Sequence, residues 1–134
     1  MSKSNTTEND TLKMLLKGVD PSYRGNANIY LALFTADPGE AGSLAAEADY
    51  TGYARQTIIK SSGWTDGGST FTNANLIQFP QCTGGSNILT HCALVETSSG
   101  AGQVFYKGAL NASLTVQNLV QPQFSIAALS VSED

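Results

Sequence analysis

The stretch ILTHCALVETSSGAGQVFYKGAL, Ile88–Leu110, decides the fold class. Ile88–Glu96 is dense in β-branched and large apolar residues and reads as a strand. TSSGAG is a turn cluster, and Gln103–Leu110 pairs naturally with the strand before it. The same grammar recurs elsewhere. Ile29, Leu31 and Leu33 share one face of a run whose other face is Tyr30, Ala32 and Phe34. A strand apolar on both faces is a central or sandwiched one. Tyr53–Lys60 (YARQTIIK), one or two short strands in TFTNANLIQFP, then SLTVQ and QFSIAALSVS continue the pattern. SSGWTDGGS and TGGSN are the turns between them, and Gly67–Gly68 and Gly84–Gly85 supply the backbone freedom. Turns recurring about every ten residues have the rhythm of an all-β fold. The expected fold is mainly β: an antiparallel β-sandwich or barrel-like domain.

The N-terminal segment has a different period. Residues 1–7 are polar and read as an extended arm. TENDTLKMLLKGVDP reads as one short helix, with Thr7 and Asp10 at a capping-box-like start, Gly18 past its end and Pro21 beyond. Leu12, Leu15 and Leu16 form an apolar stripe, with Met14 beside them. A helix this short needs packing to hold it, so the stripe docks either on its own core or on a neighbouring subunit. These four residues are the candidate assembly interface. The chain divides into residues 1–17, arm and short helix, and residues 18–134, the β-sandwich domain.

Composition narrows the function. The chain has 134 residues, the size of one domain. Charged residues make up 13%, against about 25% in an ordinary globular protein, which suits permanent packing against neighbours. A net charge of −4, with seven scattered basic residues, argues against nucleic acid. No apolar run approaches the roughly 18 residues of a membrane span, and MSKSNTTEND lacks the apolar core of a secretory signal. Between Ser61 and Ser132 the only charges are Asp66, Glu96 and Lys107. Strand edges are usually guarded by charge, so here the sheet closes on itself or its edges are covered by other chains.

No catalytic constellation emerges. G-x-S-x-G, the phosphate-cradling glycine loop and the dinucleotide fingerprint are all missing. His91, the only histidine, sits mid-strand and reads as half-buried and hydrogen-bonded. Cys82 and Cys92 could face one another across TGGSN, but read best as free thiols packed as small hydrophobes. Asp37, Glu40, Glu47 and Asp49 gather in one connection without the spacing of a calcium loop, and read as a solvated rim. The expectation is a protein without catalytic activity, cofactor or metal.

Taken in order, IYLALFTADPGEAG, YTGYARQTI, NANLIQFP, ILTHCALVETSSGAGQVFYKGAL and FSIAALSVS resemble a family of small tailed-bacteriophage virion proteins. Its members are commonly described as tail fibre or minor structural proteins. The resemblance covers roughly residues 12–132. The chain departs from the family pattern at Cys92, at Ser86–Asn87 and at Glu96, as packing variation would. The resemblance implies a structural protein of the virion, assembled in the host bacterial cytoplasm. A single compact domain with an arm, and no long heptad array, favours capsid decoration (cement) stabilising the head through subunit contacts. The alternative is a tail-tip, baseplate or tail-fibre component contacting the host surface, through the loops near Asp37–Asp49 and Trp64–Gly68. The partners implied are other virion proteins, either the major capsid protein or tail proteins. Further copies of the chain are also implied, a trimer among the forms, with neither nucleic acid nor membrane.

Overall fold

The computed structural model describes residues 1–133. In chain order the elements are β1 (Ser2–Lys3), α1 (Asn5–Lys17), a 3-10 turn (Ser22–Gly25), β2 (Asn28–Phe34), β3 (Gln56–Ile59), β4 (Trp64–Asp66), β5 (Thr70–Asn73), β6 (Ile77–Gln78), β7 (Asn87–Val95), β8 (Val104–Val116), β9 (Gln123–Phe124) and β10 (Ser130–Ser132). A five-stranded antiparallel sheet has the order β1-β8-β7-β2-β3. A three-stranded sheet, β10-β5-β4, and the β6-β9 pair accompany it. The mainly β, antiparallel reading holds.

The two faces of β2 explain the layering. Leu31 and Leu33 enter the larger core, where they meet Phe79, Ile77 and Leu129 from the smaller sheets and their connections. Ala32 and Phe34 enter a second cluster with Ala93, Val95 and Val104, roofed by Leu44 and Ala46 of the long 35–55 connection. The large sheet is thus sandwiched, as its doubly apolar strand requires. Phe79 is fully buried, its ring stacked 6.2 Å from Tyr53 and tilted against Phe124 at 6.3 Å, centroid to centroid.

Several local expectations change. SLTVQ is not a separate strand: β8 runs 13 residues from Val104 to Val116. The ladder with β7 shifts register between Leu89 and His91, and such an irregularity lets a long ribbon bend without breaking. Trp64–Asp66, expected in a turn, pairs with β5. The strand expected at Tyr53–Lys60 is shorter, because beyond Leu31 the backbone edge of β2 bonds to Ala46 and Ala48 of the connection instead. The sheet does not close on itself, and β3 forms an edge carrying only Gln56, Thr57, Ile58 and Ile59.

The N-terminal arm is corrected as well. Ser2 and Lys3 pair with Lys107 and Tyr106 of β8, so the arm is an edge strand of the main sheet. Met1 packs over Gly108, where a side chain would find its Cγ only 3.0 Å away. The helix starts earlier than expected, with Ser4 as N-cap in place of Thr7. At its end Gly18 takes φ 66°, a left-handed conformation that glycine adopts without strain.

Candidate functional site

α1 is fastened to the sheet by polar groups. Ser4 is buried, its hydroxyl donates to the Val104 carbonyl at 2.6 Å and accepts from the Thr7 N–H at 3.4 Å. Its own N–H donates to the Phe105 carbonyl at 3.1 Å. One turn on, Gln103 Nε2 donates to Thr7 Oγ1 at 3.0 Å and to Asp10 Oδ2 at 3.1 Å. The Tyr23 hydroxyl donates to the same Asp10 oxygen at 3.0 Å. Burial, and then the bond to Asp10, push the Tyr23 phenol up to about 12. The side of α1 facing the protein is therefore Thr7, Asp10, Thr11 and Met14.

The leucines face the other way. Leu12, Leu15 and Leu16 are 56%, 70% and 78% exposed, and Val19 past the cap is 52% exposed. The stripe does not dock on its own core, because the sheet-facing side is taken by the capping and Asp10 network. Burying a leucine fully gains about 1.5–3 kcal/mol, and three on one short helix leave that gain unrealised in the isolated chain. Met14 separates from the other three: it is half-buried and lines a cleft beneath the helix.

Of the acids in the connection, Asp37, Glu40 and Asp49 are exposed, as a solvated rim would be, and only Glu47 is drawn in. Glu47 accepts Arg55 Nε at 2.7 Å and Nη2 at 2.8 Å, and also the Tyr53 hydroxyl at 2.7 Å. The remaining Arg55 protons go to the Thr97 carbonyl and hydroxyl and to the Gly100 carbonyl. All five guanidinium donors are used, with the side chain 3% exposed. The bonds to Glu47 hold the Arg55 guanidinium in its charged form. Asp37 and Glu40 lie 3.2 and 3.5 Å from Nζ of the buried Lys107. The Gly39 N–H bond, with help from Lys107, holds the Asp37 carboxyl below its ordinary range. Asp49 accepts from the Asn87 amide at 2.9 Å. These acids are bolts between the connection and the sheet. Among the described residues, no three of His, Cys, Asp and Glu gather where they could hold a metal ion.

His91 is half-buried, its Nδ1 2.8 Å from the Thr90 hydroxyl. Cys82 and Cys92 are free and buried in the larger core, and burial pushes the Cys92 thiol up to about 12. Trp64 and Phe71 wall an open apolar cleft of about 300 Å³. It adjoins the cleft under α1 through Ile29, Lys60 and Tyr106. Arg55 is not singled out from sequence, and Lys107 enters there only as one of three charges between Ser61 and Ser132. For Lys107 the available signal was scarcity: it is a lone cation in an apolar run, and such a cation is buried only with partners.

The class these features define is a β-rich structural protein whose polar clusters are spent on its own architecture. The family described as podophage GP4 fiber I protein gp80 matches residues 2–132, and the chain belongs to that family. It is a structural protein of a bacteriophage virion. No curated protein matches the chain.

Proposed function

We propose that the protein is a fibre subunit of the phage particle, joined to its neighbours through the outward face of α1. The observation that carries this reading is the exposure of Leu12, Leu15 and Leu16 on a helix held to its own domain by polar bonds. Apolar faces of this kind mark contact surfaces. Of the virion roles weighed from sequence, capsid decoration and the tail or fibre, the family's description favours the fibre. In this role the chain performs no catalysis. Arg55 with Glu47, and the buried Lys107 with the exposed Asp37 and Glu40, brace the connection over the sheet.

The test is fractionation of purified particles into heads and tails with fibres, followed by immunodetection of the protein. Retention with the fibre fraction is expected. In particles complemented with a Leu12→Ser, Leu16→Ser double variant, incorporation should fall at least tenfold. Detection in tail-free heads alone would overturn the fibre reading in favour of capsid decoration.

A further inference from the structure

The outward face of α1 carries charges as well as leucines. At about 3.6 residues per turn, Leu12 and Leu16 lie at the centre of that face, with Asn9 one turn before. Glu8 sits on one shoulder of this seam and Lys13 on the other. All five residues are exposed. Written as a heptad, Asn9 and Leu16 occupy a, Leu12 occupies d, Glu8 falls at g and Lys13 at e. From g to the next e is five residues, the interval at which opposite charges meet between parallel, in-register helices.

From this arrangement we infer that the partner of α1 is α1 of a second copy of the chain, packed parallel and in register. The inference rests on the reading of the leucines as a contact surface. Leu12 and Leu16 of each copy then meet their own counterparts, and Glu8 of one copy faces Lys13 of the next. An antiparallel pair would instead set the Lys13 shoulder against the same shoulder of its partner, lysine to lysine, a repulsive contact. The same pattern around a rotation axis serves two or three copies. A seam this short covers less than the roughly 800 Å² per partner of a standard interface. Association of the free protein is therefore weak and rises with concentration, and the particle's local concentration completes it.

Disulfide trapping with the full chain reads orientation directly. Leu12→Cys and Leu16→Cys, each as a single variant, should form homotypic disulfide-linked dimers under mild oxidation. Native Cys82 and Cys92 are buried and do not compete. Adding Glu8→Lys or Lys13→Glu to Leu16→Cys should slow trapping several-fold, and combining both should restore it. Trapping only in a mixture of the Leu12→Cys and Leu16→Cys variants would mean antiparallel packing and overturn the inference. Wild-type protein that sediments as a monomer at every concentration, with no trapping, would also overturn it. If such a monomer still needs Leu12 and Leu16 to enter the fibre fraction, the fibre reading stands and the partner is a different protein. Trapping in a protein found only in heads would sink the fibre reading alone.

Discussion

Arg55 grips Glu47 with two parallel bonds of 2.7 and 2.8 Å, eight residues back along the chain, while its other donors hold the turn between β7 and β8. One side chain thereby locks the 35–55 connection to the opposite end of the main hairpin. Breaking a buried pair leaves its partner charge uncompensated. Arg55→Ala should cost about 3–5 kcal/mol. Arg55→Lys should recover little of that loss, because an ammonium cannot reproduce the planar fork. Urea unfolding monitored by Trp64 fluorescence measures both.

Ser4 joins strand to helix. Ser4→Ala removes the N-cap acceptor and leaves the Val104 carbonyl without its 2.6 Å donor. A loss of about 1–2 kcal/mol is expected. Hydrogen exchange should rise first at the amides of Thr7 and Glu8, before any change in the core of β7 and β8.

The leucines predict the opposite behaviour. Leu15→Ser and Leu16→Ser should change the stability of the isolated chain by no more than about 0.5 kcal/mol, as surface substitutions do. The same variants should weaken attachment to the particle. Deleting residues 1–17 is a poorer test, since it also strips β1 from β8 and uncovers a sheet edge. A cooperative Tm drop on Leu16→Ser would place that side chain in the core.

Alkali should destabilise the fold. Burial raises the phenols of Tyr23 and Tyr50 to about 12, from an ordinary 10.0, and pushes Tyr53 and Tyr106 up as well. A folded-state pKa above the unfolded one gives stability that is complete below pH 10.0 and is lost as pH rises toward about 12. Tm should therefore fall above pH 10.0, with tyrosinate absorbance appearing together with unfolding. Tyr50→Phe, which keeps the ring and drops the hydroxyl bonded to the Pro80 carbonyl, should flatten that fall.

The thiols should be silent in the native state. Cys82 and Cys92 are 0% and 4% exposed, and the Cys92 thiol is held protonated by burial. A thiol reagent should label neither until the chain unfolds, and then both. Fast labelling of native protein would contradict the packing of the larger core.

What the sequence by itself determined is what repeats within a few residues. Leu31 and Leu33 alternating with Ala32 and Phe34 announce a sandwiched strand, and Ile88–Leu110 announces the central hairpin, because side-chain alternation in a strand is local geometry. The spacing of Leu12, Leu15 and Leu16 likewise announces a helix with an apolar stripe. Local spacing carries no information about what lies opposite. Only the tertiary structure turned that stripe outward, by giving the inward side to Thr7, Asp10 and the Gln103 amide, which arrives from the start of β8. Only it made Ser2 and Lys3 a strand, placed Lys107 beside Asp37 and Glu40, and closed Arg55 on Glu47 and Thr97. These pairings depend on where distant segments of the backbone pass one another, and the donors and acceptors that must be satisfied on burial take whatever partners that path brings within reach.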